Sequence, residues 1–298
     1  LKYVSVAQIA QTWAMSERGV RNYCTQGKIE GAFLKGKAWN IPENARKPER
    51  ITKQTEPSSG LSSILKEEKQ KRRRGGIYHK IQIDLTFNSN HMEGSKLSHD
   101  QTRYIYETNT IGLEGTSINV DDIVETANHF RCIDLMIDRS NFTLGEPFIK
   151  QLHALLKNGT SDSRKDWFEV GEYKKLPNEI GGHETTLPEH VAKEIRSLLD
   201  AYNAKKKKTL DDIIDFHVRF ELIHPFQDGN GRVGRLIMFK ECLRWNIVPF
   251  IISDSMKMFY YRGLNDWNRE RGFLRDTCLT AQDTFKRSLD YFRIPYDR

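Results

Sequence analysis

The segment His224-Pro-Phe-Gln-Asp-Gly-Asn-Gly-Arg-Val-Gly-Arg235 constrains this chain more than any other stretch. It joins two regions, 210–223 and 233–245, whose apolar residues recur three and four apart, so it reads as a tight loop between two helices. Ile213, Phe216, Phe220 and Ile223 form the apolar face of the first helix. Pro225 disfavours helical geometry at the residue before it, which ends that helix at His224. Gly229 and Gly231 flank an asparagine, a residue that tolerates positive φ. Successive N–H groups in such a turn converge on an anion, and the helix expected to begin at about Arg232 points its N-terminus at the same place. Phe226 is the loop's expected anchor in the core.

The side chains around this turn define a chemistry. Cations are disfavoured at a helix N-terminus, so Arg232 and Arg235, three residues apart, make sense around a bound anion. Asp228 offers a hard oxygen ligand, which suits Mg²⁺ held jointly by one carboxylate and substrate phosphates. His224 has the ordinary pKa of a general base near neutrality.

The remaining pattern is mostly helical. Stretches 97–109, 120–138, 146–157, 189–203, 256–271 and 274–292 carry apolar residues at helical spacing. The exception is 167–187, whose Phe168, Val170, Tyr173, Ile180 and Gly181-Gly182 predict a hairpin or flap. The lysine run 205–208 reads as an exposed loop. The expected fold class is mainly α, a helical core with a small β-hairpin flap and a separate small α+β head.

Charge divides the chain. Residues 1–80 hold 17 Lys+Arg against 7 Asp+Glu, within a total of 47 against 40, so the remainder is close to neutral. Such a basic head suits a polyanion. Residues 1–50 form the expected head domain, 51–76 a basic polar linker with Lys69-Gln-Lys-Arg-Arg-Arg74, and 77–298 the catalytic domain. The four cysteines form no CxxC pair, which predicts reduced thiols in a cytoplasmic protein. No apolar run has the length of a membrane span and no N-terminal signal pattern is visible, so a membrane partner is not expected.

The segment 224–235 resembles the signature of the Fic (Fic/Doc) family, H-x-F-x-[D/E]-G-N-G-R-x-x-R, at every fixed position, and the resemblance extends over roughly 77–296. It implies a protein adenylyltransferase, which transfers AMP from ATP to a Tyr, Thr or Ser hydroxyl of another protein or of itself. On this likeness His224 is the base and Asp228 holds Mg²⁺ against the α- and β-phosphates. Gly229, Asn230 and Gly231 form the anion hole, and Arg232 and Arg235 steady the outer phosphates. Tyr173, Lys174, Ile180, Gly181 and Gly182 resemble the family's target-docking flap, although the family often has Arg where Lys174 stands. Tyr260 and Leu264 fall in the stretch that lines the adenine side of the pocket.

Ser89-Asn-His-Met-Glu93-Gly94 matches the family's inhibitory pattern, [S/T]-x-x-x-E-[G/N], and lies upstream of the core motif. The resemblance implies an inhibitory helix near 86–98 in which Glu93 forms a bidentate pair with Arg235. That pair would misalign the α-phosphate of bound ATP.

The head resembles excisionase-like winged helix-turn-helix domains in Ser5-Val-Ala-Gln-Ile-Ala10, Val20-Arg-Asn-Tyr23, Gly27-Lys-Ile29, Gly31-Ala32 and Trp39-Asn-Ile-Pro42. That likeness implies DNA contacts by Arg18, Arg21 and Asn22 on the second helix and by Lys35 and Lys37 on the wing. Two alternatives stay open: a DNA-binding regulator whose core senses nucleotide, and another phosphate or nucleotide transfer on the same fold. The protein target, the DNA site and assembly into a homo-oligomer are left open.

Overall fold

The computed structural model describes residues 2–13, 15–25, 27–36, 38–47, 60–112 and 117–296. The chain divides into two compact units, Leu1–Pro57 and Ser58–Arg298.

In the first unit, strand β1 (Tyr3–Val4) leads into helix α1 (Val6–Thr12). Ser5 and Gln8 close a capping box that satisfies two otherwise orphaned N–H groups at its start. Helix α2 (Glu17–Thr25) begins after Ser16, whose Oγ accepts the Gly19 N–H at 3.2 Å. Strands β2 (Phe33–Lys35) and β3 (Ala38–Pro42) then pair antiparallel. The expected hairpin gains a third strand, because Tyr3 and Val4 pair with Pro42 and Ile41 and give the order β1-β3-β2. Val6, Ile9, Ala10, Trp13, Val20, Cys24, Ile29 and Ile41 form its core.

The second unit is helical with one very short hairpin. Its helices are α3 (Leu61–Gln70), α4 (Ile77–Met92), α5 (His99–Thr108), α6 (Val120–Asp138) and α7 (Glu146–Lys157). After the hairpin come α8 (Pro188–Ala204), α9 (Leu210–Ile223), α10 (Asn230–Arg244), α11 (Lys257–Asp266) and α12 (Gly272–Tyr291). Helix α10 is the axis of the unit and packs on α9, α6, α7, α4 and α3. Thirteen of its residues, from Asn230 to Leu243, are buried. A helix enclosed on all sides has no polar face, and its charged side chains must find partners inside.

Four expectations change. Within the expected linker, 51–59 lie outside the described residues, but 61–70 form α3. Leu65 is fully buried there, and the Glu68 carboxylate accepts the Tyr78 N–H at 2.9 Å near the start of α4. The helix of the inhibitory segment runs from 77 and ends at Met92; Glu93 is its C-cap and Gly94 takes φ +98. The helix expected over 256–271 ends at Asp266. The flap narrows to two-residue strands, β4 (Glu179–Ile180) and β5 (His183–Glu184), turning through Gly181 and Gly182 at φ 57 and 79.

Candidate active site

The loop from α9 to α10 carries the chemistry. His224 caps α9 in the left-handed region, at φ 51 and ψ 62, a strained conformation for a residue with a Cβ. Its Nδ1 lies 3.3 Å from the Glu221 carbonyl. A carbonyl only accepts, so Nδ1 carries the proton and Nε2 is left as the basic nitrogen. Burial lowers the His224 pKa below the ordinary histidine value, which favours this neutral form.

Three residues brace the loop from below. Phe226 is fully buried and stacks on His153 at 3.9 Å between ring centroids. His153 accepts the Gly171 N–H at Nδ1 (2.9 Å), so its Nε2 donates to the Asp228 carbonyl at 3.1 Å. Burial pushes the His153 pKa down to about 3, and the ring stays neutral. The Asn230 side chain spans the loop, accepting the Phe226 N–H and donating to the Phe226 carbonyl, both at 2.8 Å. Its amide is therefore spent on the loop.

Helix α10 starts at Asn230, two residues earlier than expected, with Gly229 as N-cap at φ 82. The first N–H groups of a helix lack intrahelical partners, so Asn230, Gly231 and Arg232 offer donors at this end. The Glu93 carboxylate lies against Gly231: a Cβ there would come within 2.3 Å of Glu93 Oε1. Glu93 also takes the Arg235 guanidinium, with Nη2 to Oε1 at 2.7 Å. This is one contact rather than the expected bidentate pair, because Arg235 Nε and Nη2 also donate to the Ser89 hydroxyl and carbonyl at 3.0 and 2.9 Å. Burial disfavours the Glu93 charge, but Arg235 and Arg232 outweigh it and hold its pKa below the usual value.

Arg232 and Arg235 diverge. Arg232 donates to Asp228 Oδ2 at 3.0 Å and contacts Glu125 on α6. Lys157, at the end of α7 and only 2% exposed, reaches Asp228 Oδ2 at 2.6 Å, Asp162 at 3.0 Å, and Glu125. Burial opposes ionisation of Asp228, yet Arg232 and then Lys157 hold its carboxyl well below the usual carboxylate range. Among the described residues there is no group of three or more His, Cys, Asp or Glu able to hold a metal. One ionised, half-exposed carboxylate beside an anion-binding turn does fit Mg²⁺ that takes its other ligands from phosphates and water.

The other candidates are placed as follows. The Lys174 ammonium is buried and donates to Asn178 Oδ1 at 2.7 Å, Thr185 Oγ1 at 2.6 Å and the Ile223 carbonyl at 3.5 Å. Its own N–H meets the Pro225 carbonyl at 2.9 Å, so it ties the base of the hairpin to the loop. Burial brings its pKa down to about 8. Tyr173 is half-buried under the Lys150 ammonium, while Gly181 and Gly182 are exposed and Ile180 is half-buried at the hairpin tip. Tyr260, expected on the adenine side, is a core residue: it is 1% exposed and its hydroxyl lies 2.5 Å from His217 Nε2. Leu264 packs against the same apolar cluster, half-buried. In the first unit Arg21 on α2 and Lys35 on β2 are exposed. Lys37 lies outside the described residues, as do the side chains of Arg18 and Asn22.

The sequence reading did not single out Glu125, His153, Lys157 or Glu221. His153 shares a helical face with Ile149, Leu152 and Leu156, and a polar residue on an apolar face is the signal that could have found it. Nothing local marks Glu125 or Lys157, because their partners come from α10 and its loop.

A strained histidine, an ionised aspartate and a glycine-lined helix N-terminus thus meet in one loop, an arrangement whose chemistry suits an anion. Residues 143–242 match the family model described as Fic/DOC family, and this part of the chain carries a Fic/Doc-type fold. The chain is 26% identical over 229 residues to protein adenylyltransferase fic-1 of Caenorhabditis elegans, spanning 74% of this chain and 42% of that protein. It is 27% identical over 224 residues to protein adenylyltransferase Fic of Drosophila willistoni, spanning 72% and 41%. The chain thus spans about two fifths of the length of these curated relatives. Among solved structures, a Fic-domain-containing signalling protein from Bacteroides thetaiotaomicron superposes with a TM-score of 0.61 at 22% identity, covering 77% of this chain and 94% of its own. A segment of Fic-1 from C. elegans gives 0.62 at 18% identity, covering 78% and 71%.

Proposed function

We propose that this chain transfers AMP from ATP to a tyrosine, threonine or serine hydroxyl of a protein, either a separate target or itself, and that Glu93 restrains the reaction. The observation that carries this reading is the juxtaposition of His224, Asp228 and the N-terminus of α10 in one loop, with the Glu93 carboxylate against Gly231 and on Arg235.

His224 Nε2 takes the proton of the target hydroxyl. The oxygen attacks the α-phosphorus, the bond to the bridging oxygen of the β-phosphate breaks, and pyrophosphate leaves. The N–H groups of Asn230, Gly231 and Arg232 stabilise charge on the phosphate oxygens, as preorganised donors do. Arg232 and Arg235 bind the outer phosphates, Arg235 only after releasing Glu93. Asp228 would hold Mg²⁺, which when bound supplies charge neutralisation between the α- and β-phosphates. The hairpin tied down by Lys174 offers a short strand edge for the target backbone.

The test uses the Glu93→Gly protein with ATP labelled at the α- or the γ-phosphate. Protein-bound α-label that disappears in the Glu93→Gly/His224→Ala double variant is the expected result. Protein-bound γ-label without α-label would replace this reading with phosphate transfer, and no label from either would favour a nucleotide sensor.

For the first unit we propose a winged helix that binds DNA. Support comes from its two helices followed by an antiparallel sheet, and from its excess of basic residues. On this reading α2, with Arg18, Arg21 and Asn22, faces the major groove while Lys35 and Lys37 meet phosphates.

A further inference from the structure

Lys157 and its partners Glu125 and Asp162 have no part in the chemistry described above. Its Nζ is buried at the end of α7 and touches three carboxylates, Asp228, Asp162 and Glu125, brought from the loop, the turn after α7, and α6. Arg232 completes the cluster between Asp228 and Glu125, and Lys165 pairs with the far oxygen of Asp162 at 2.6 Å. Three carboxylates therefore face three cations. Asp228 is ionised but lies in a neutral cluster, and its Oδ2 already holds both an ammonium and a guanidinium.

We propose that Lys157 is a resident cation that sits on Asp228 when no nucleotide is bound and makes the carboxylate a poor site for a free divalent metal. The inference rests on the reading of Asp228 as the Mg²⁺ ligand. A divalent ion approaching Asp228 alone meets a neutral cluster and a like charge within bonding distance of its ligand atom. An ion arriving with ATP brings phosphate charge that offsets both. Lys157 can then yield Oδ2 without becoming an orphaned buried charge, because Glu125 and Asp162 still hold it. Mg²⁺ is in this way recruited with the nucleotide rather than ahead of it, and Glu125 and Lys157 are positioning residues rather than catalytic ones.

The experiment titrates the nucleotide-free full chain with Mn²⁺, reading the free aquo ion by electron paramagnetic resonance. Lys157→Gln retains a polar side chain but removes the charge, leaving one carboxylate in excess; the Mn²⁺ Kd is expected to fall at least tenfold from wild type. Adding Asp228→Asn is expected to abolish that gain. Glu125→Gln leaves Lys157 to Asp228 and Asp162 and Arg232 to Asp228, with one cation in excess, and should raise Kd at least threefold, a change of opposite sign that a general loosening of the fold would not give. If Lys157→Gln does not fold, the Glu125→Gln titration decides.

A Lys157→Gln protein that folds and binds Mn²⁺ no more tightly than wild type would overturn the proposal. So would a gain that survives Asp228→Asn, or tighter binding in Glu125→Gln. The readout contains no nucleotide, so it is separable from the labelling experiment. Absent α-label with the expected Mn²⁺ shifts would remove AMP transfer and leave the resident cation in place.

Discussion

Replacing Glu93 by glycine removes one carboxylate and leaves its surroundings in place. Arg235 keeps its bonds to the Ser89 hydroxyl and carbonyl, at 3.0 and 2.9 Å, so the guanidinium does not swing away. Glu93 is a C-cap at φ −91 rather than a helix-interior residue, so glycine costs α4 little there. What is lost is the 2.7 Å contact to Arg235 and the carboxylate against Gly231. A hydrogen bond to a charged group contributes about 1.5–3 kcal/mol. ATP phosphates competing for the same donors are relieved of that amount, which corresponds to roughly a 10- to 150-fold gain in productive binding. The assay is the initial rate of α-label incorporation at ATP concentrations below saturation, wild type against Glu93→Gly. Glu93→Gln, which keeps an acceptor without the charge, should fall between them. A Glu93→Gly rate within twofold of wild type, on protein that His224→Ala still silences, would refute the argument that Glu93 competes for the phosphate site.

Two further outcomes follow from other parts of the molecule. Burial pushes the Glu221 pKa from 4.5 up to about 8, so the folded protein keeps this carboxyl protonated while the unfolded chain ionises it above about pH 4.5. Its contribution to stability is therefore full below pH 4.5 and is lost as pH rises to about 8. Glu221→Gln should match wild type in Tm near pH 4.5 and exceed it by several degrees near pH 8, on the order of a few kcal/mol; equal Tm values at both pH values would remove the buried acid from the account. For the first unit, Arg21→Ala and Lys35→Ala should each weaken duplex DNA binding, and affinity should fall steeply with salt; an affinity indifferent to salt would exclude phosphate contacts.

Much of the site was legible in the sequence because its parts are local. The pre-proline break at His224, the glycines at 229 and 231 and the paired arginines lie within one turn-sized segment, where backbone rules operate on neighbours. The reading was weaker where one residue type serves two ends. The polar composition of 61–70 suggested a linker, but Leu65 and Glu68 find partners on helices distant in sequence and make it α3. The family resemblance put Tyr260 in a stretch lining the adenine side of the pocket, whereas its side chain is buried in the core with its hydroxyl on His217.

Sequence by itself determined most of the helical elements, the break between α9 and α10 and the residue types available for the chemistry, because these depend on spacing along the chain. Only the tertiary structure decided which charges meet. Burying α10 on all sides forces Arg232 and Arg235 to find carboxylates from other elements, and the fold supplies Glu125 and Asp228 to one and Glu93 to the other. A buried charge without a partner costs more than most single interactions return, so the pairing is set by what the packing brings within reach, not by distance along the chain.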